Sequence, residues 1–88
     1  MNWVCELTEA ARKDLIDLPR KVQERVGHAL DQMAVDPFQG DVKALQGKEW
    51  KGIFRRRIGS YRILFVTDQK RRIISVVRIV IRSEKAYR

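Results

Sequence analysis

Apolar residues change their spacing once along this chain. They recur at steps of three and four up to the mid-thirties, as on one face of a helix, and alternate or run together afterwards, as in strands. A short strand precedes the helical part: Asn2 to Leu7 alternates Trp3 and Cys5 against Val4 and Glu6. Thr8 is placed to accept the first free amides of a helix that starts near Glu9, in which Ala11, Leu15 and Leu18 recur at helical spacing and Glu9, Arg12, Lys13 and Asp14 form the polar face. Pro19 ends that helix and suits the first turn of the next. From Arg20 to about Val35, the residues Val22, Val26, Ala29, Leu30 and Met33 make the longest apolar stripe. Gly27 weakens this helix by about 1 kcal/mol relative to alanine, so another element is expected to approach closely there.

Asp36-Pro37-Phe38-Gln39-Gly40 is a breaker cluster, and everything after it reads as sheet. Lys51 to Ile58, the Gly59-Ser60 pair and Tyr61 to Thr67 form a hairpin, because a glycine-first pair between alternating runs fits a tight primed turn. After a second turn at Asp68 to Arg71, Arg72 to about Ile81 is so continuously apolar that it reads as an interior strand buried on both faces. The predicted fold class is α+β: an N-terminal strand, a two-helix hairpin, then three further strands in an antiparallel sheet whose other face stays open. Residues 1–88 leave room for one domain and one core.

Charge changes the picture more than composition does. The chain carries 19 Lys+Arg against 11 Asp+Glu, a net +8, and 13 of the positive residues lie from Lys48 onward with only Glu49, Asp68 and Glu84 as negatives. Such a field gathers polyanions or an acidic protein. Cys5 is the single cysteine, so no internal disulfide forms; neither a CxxC pair nor a Cys/His cluster offers a metal site, and no cofactor is implied. Cys5 reads as a small buried hydrophobe and His28 as an ordinary helix-surface histidine. With no membrane-length apolar run and no signal peptide, the expected location is the cytoplasm and no membrane partner is implied.

Period-two alternation splits the hairpin. Phe54, Ile58, Tyr61, Ile63 and Phe65 face the helices, while Ile53, Arg55, Arg57, Arg62, Leu64 and Val66 face the other way. Three arginines on adjacent strands then stand close enough to converge on one anion. Arg56 falls on the helix side and needs a partner, an edge or a bulge, and Arg78 is a charge within an apolar strand. A solvated, guarded strand face is the plainer reading of these charges; Arg62 and Arg82 on neighbouring strand ends favour a bound anion.

Leu45-Gln46-Gly47-Lys48, the run Ile53-Phe54-Arg55-Arg56-Arg57-Ile58-Gly59-Ser60-Tyr61-Arg62-Ile63-Leu64-Phe65, and Arg82 with Tyr87-Arg88 together resemble the RelE/ParE superfamily of bacterial type II toxins. The order of elements is similar across essentially the whole chain. The resemblance implies one of two activities: ribosome-dependent mRNA cleavage in the RelE-like branch, which the basic set favours, or non-enzymatic inhibition of DNA gyrase in the ParE-like branch. In the first case a ribose 2′-hydroxyl attacks the adjacent phosphate without a metal. Arg57, Arg62 and Arg82 are then the expected phosphate stabilisers, and Tyr87 stacks on a base or assists proton transfer. Lys48, Lys51, Arg55, Arg56, Arg78, Lys85 and Arg88 are expected to add RNA contacts. Implied partners are the ribosome, mRNA and a cognate antitoxin, in a toxin–antitoxin hetero-oligomer.

Overall fold

Thr8 joins sheet to helix. Its Oγ1 accepts the Ala11 amide at 3.1 Å, which starts α1 (Glu9–Ile16) directly after β1 (Val4–Leu7), and the same hydroxyl donates to the Val77 carbonyl at 3.0 Å. In the computed structural model, which describes residues 2–81, Pro19 then leads into α2 (Arg20–Val35), as the sequence predicts. Arg82, Lys85, Tyr87 and Arg88 lie outside the described residues.

Four strands follow: β2 (Val42–Ala44), β3 (Phe54–Ile58), β4 (Tyr61–Asp68) and β5 (Ile73–Ile81), with a 3-10 turn at Lys48–Trp50 between β2 and β3. Among the described residues they join β1 in one sheet of order β1-β5-β4-β3-β2. The α+β class is as expected, with two additions. β2 is a further edge strand of three residues, too short to show alternation in sequence, and β1 pairs parallel to β5 while every other pair is antiparallel. β3 starts later than expected, at Phe54, because Gly52 at φ +83° turns the chain just before it. Gly59, at φ +56°, supplies the left-handed residue of the β3–β4 turn.

Both helices contribute to the core on one face of the sheet. Ala11, Val26, Ala29 and Met33 pack with Ile63, Phe65, Ile74, Val76 and Ile79, all nearly excluded from solvent. Each large side chain in that set contributes about 1.5–3 kcal/mol by burial. Two expectations need correction. β5 is not buried on both faces: Ile74, Val76 and Ile79 are buried, whereas Ile73, Ser75, Val77 and Val80 are partly exposed. The register explains the unbroken apolar run, since Phe65 faces Val76 and Leu64 faces Arg78, so Val77 is an extra residue in a bulge and the inward alternation restarts after it. Nothing approaches Gly27, where an added Cβ would meet no atom within 4 Å. No helix among the described residues is long and apolar enough to cross a membrane.

Candidate phosphate-binding face

Alternation along β3 sends Phe54, Arg56 and Ile58 toward the helices, and Arg55 and Arg57 to the opposite face. Pairing fixes their neighbours. Arg57 stands directly across from Arg62 on β4, and Arg55 lies between Lys43 on β2 and Leu64 on β4, with Arg78 beyond Leu64 on β5. Two like charges in direct register repel unless an anion stands near them.

Asp41, immediately before β2, supplies one. Its Oδ1 lies 3.0 Å from Arg55 NH1 and its Oδ2 lies 3.7 Å from Arg57 Nε, while its carbonyl accepts Arg55 NH1 at 3.1 Å and the Arg57 amide at 3.0 Å. The hydrogen bond from Arg55 holds the Asp41 carboxyl below its ordinary range against a small desolvation cost, helped by the charges of Arg55, Arg57 and Lys43. The Arg55 side chain is nearly buried at 10% exposure, whereas Arg57 at 39% and Asp41 at 47% reach solvent. Arg62 is buried beside them. Arg55, Arg57 and Arg62 are therefore brought together, with Lys43 and Asp41 as members the sequence reading missed. Recognising β2 would have placed Lys43 beside Arg55; the signal for Asp41 is its position one residue before that strand.

Arg56 is placed apart from this group. It lies on the helix face, where NH2 donates to Gln32 Oε1 at 2.5 Å and NH1 to the Gln39 carbonyl at 2.7 Å, and the Gly40 backbone packs against its guanidinium. These bonds tie the buried Arg56 side chain to the helix face, away from Arg55 and Arg57. Arg78 is held elsewhere as well. β1 pairs with β5 only as far as Val76, and α1 completes the free edge beyond: Asp14 Oδ2 accepts the Ile79 amide at 2.9 Å and Arg78 Nε at 2.7 Å, and Oδ1 accepts Arg78 NH2 at 3.1 Å. This forked pair accounts for a charge in an apolar strand. Burial raises the Asp14 pKa, but the hydrogen bonds from Arg78 and Ile79 outweigh it, so the group titrates below its ordinary value.

Lys48 and Lys51 are exposed between β2 and β3. Close by, Lys43, Ala44, Leu45, Gln46, Gly47, Glu49 and Arg55 line an open cavity of about 500 Å³. Cys5 is half-buried with its thiol against the Leu30 carbonyl, and burial, with Asp31 nearby, raises its pKa; His28 is exposed on α2. Among the described residues no three His, Cys, Asp or Glu side chains gather as a metal-ligand set.

The sequence matches the family described as ParE toxin of type II toxin-antitoxin system, parDE, over residues 5–86. It is 30% identical to a Methanocaldococcus jannaschii protein assigned as a RelE1 toxin, over all of this chain and 98% of the relative. Similar solved structures include the RelBE2 toxin–antitoxin complex of Mycobacterium tuberculosis, with 28% identity, a TM-score of 0.82, and coverage of 93% of this chain and 100% of the other. The RelE–RelB complex of Pyrococcus horikoshii shares the fold at 22% identity and a TM-score of 0.80, covering 96% and 99% of the two chains. The chain belongs to the ParE toxin family of type II toxin–antitoxin systems, within the RelE/ParE superfamily.

Proposed function

We propose that this toxin is a ribosome-dependent mRNA endoribonuclease that inhibits translation in the cytoplasm. The observation that carries the reading is the direct pairing of Arg57 with Arg62 beside Arg55, on the face of the sheet that the helices leave uncovered. Attack of a ribose 2′-hydroxyl on its own phosphate passes through a phosphorane with added negative charge, and leaves a 2′,3′-cyclic phosphate and a 5′-hydroxyl. Guanidinium groups fixed by strand register stabilise that charge without reorganising at the moment of reaction. Arg57, partly exposed, is the cation an incoming phosphate meets first. Arg62 backs it, and the family resemblance assigns Arg82 the same role.

Arginine does not deprotonate at working pH, so protons pass through another group, for which Tyr87 and Lys85 are the candidates. Lys48 and Lys51 extend the track for flanking phosphates, and the resemblance assigns Arg88 the same role. The ribosome supplies the substrate orientation that a site with only Arg57 of its three arginines partly exposed does not impose by itself. RelE proteins of M. tuberculosis and P. horikoshii were solved in complexes with RelB antitoxins. The partner here is an antitoxin of the same kind, in a hetero-oligomer, and the net charge of +8 speeds its association.

Primer extension on mRNA, with and without programmed ribosomes, tests this reading. Discrete cuts only with ribosomes are expected. The family description's ParE label favours a second reading, gyrase inhibition; intact mRNA in both reactions together with loss of gyrase supercoiling would replace the first reading by the second.

A further inference from the structure

We propose that Asp41 is a built-in competitor for the phosphate seat formed by Arg55 and Arg57, and that its carboxylate sets how strongly the site takes an RNA phosphodiester. The inference rests on the RNA reading above. The carboxylate divides its two oxygens between two guanidinium groups, as two non-bridging phosphate oxygens would. The two halves of that bridge differ. Arg55 NH1 is held by the Asp41 carbonyl as well as by its carboxylate, and its side chain is shielded, so Arg55 stays in place whichever anion is present. The other half, from Oδ2 to Arg57 Nε, is long at 3.7 Å, and both side chains reach solvent. A phosphate entering from solvent meets this half first and takes over Arg57.

Charge points the same way. Lys43, Arg55 and Arg57 all act on the Asp41 carboxylate, so the face still attracts a polyanion, but one isolated phosphate must displace or share an anion already seated. RNA held against the protein by several contacts at once meets that barrier with a higher effective concentration than free RNA does. Asp41 thus discriminates against free RNA and in favour of RNA presented on a scaffold.

The test is fluorescence anisotropy of a labelled 2′-O-methyl RNA oligonucleotide, which binds without being cleaved, titrated with the full chain as wild type, Asp41→Asn, Arg57→Ala and the double variant. Asp41→Asn is expected to bind about threefold to tenfold tighter at low salt, with the gain shrinking as salt screens it. The slope of log affinity against log salt is expected to steepen by about one. Arg57→Ala in the same chain should erase the gain. Asp41→Asn that keeps its thermal transition and binds no tighter than wild type overturns the proposal alone. Absence of RNA binding by every variant overturns the RNA reading with it. If Asp41→Asn does not fold, arginine side-chain NMR of the wild type decides: RNA is expected to shift the Arg57 Nε–H signal, and bound RNA that leaves it unmoved overturns the proposal.

Discussion

Replacing Asp14 by alanine separates two roles that a salt bridge and an edge cap would give it. The carboxylate accepts one buried-strand amide, from Ile79, and a forked pair from Arg78, and its side chain is only 19% exposed. Loss of a hydrogen bond to a charged acceptor costs about 1.5–3 kcal/mol. The half-exposed ion pair adds about 0–1 kcal/mol. Asp14→Ala should therefore cost about 2–3 kcal/mol, nearly all of it from the orphaned β5 edge, and lower Tm by roughly 10–20 °C in a domain of this size. Arg78→Ala should cost about 1 kcal/mol or less, because the Ile79 amide keeps its acceptor.

Chemical denaturation of both variants followed by circular dichroism measures the difference. pH adds a second readout. The folded-state pKa of Asp14 is lowered, so its contribution is full above the ordinary carboxylate value and is lost as pH falls through the lower folded value. Wild type should lose stability on acidification faster than Asp14→Ala does. Equal costs for the two variants, or an Asp14→Ala within about 0.5 kcal/mol of wild type, would refute the edge-cap account.

Three further outcomes follow from the packing. Gly27→Ala should stabilise the protein by about 0.5–1 kcal/mol in the same denaturation assay, since the helix gains propensity and the new methyl meets nothing. Arg56→Ala should cost about 1.5–3 kcal/mol, because it removes the buried guanidinium's hydrogen bonds to the Gln39 carbonyl and Gln32. Arg57→Ala should stay within about 1 kcal/mol of wild type in stability, as expected for an exposed ion-pair partner.

Both helices, the hairpin and its two faces were readable from residue spacing, because helix and strand periods are local properties of the chain. The Arg57–Arg62 pairing was readable too, since a two-residue turn fixes hairpin register. Other features depend on partners far away in sequence. The parallel pairing of β1 with β5 has no trace in either strand's own alternation. β2 is defined by its register on β3 and holds too few residues to announce itself. The bulge at Val77 made a one-sided strand look two-sided. The same limit explains the site. Basic positions were visible as charges, but separating Arg55 and Arg57 from Arg56 and Arg78 by role required Asp41, Gln32 and Asp14, which lie between 14 and 64 residues away from the arginines they hold.

Cleavage of ribosome-bound mRNA by Arg57→Ala and Arg78→Ala, measured as single-turnover rates at saturating enzyme, tests the central claim most directly. Arg57 faces the proposed phosphate, so its loss should slow cleavage by about 100-fold or more, as removal of a transition-state donor does. Arg78, committed to Asp14, should leave the rate near that of wild type. The opposite order, or an Arg57→Ala as fast as wild type, would contradict the assignment of this face to the scissile phosphate.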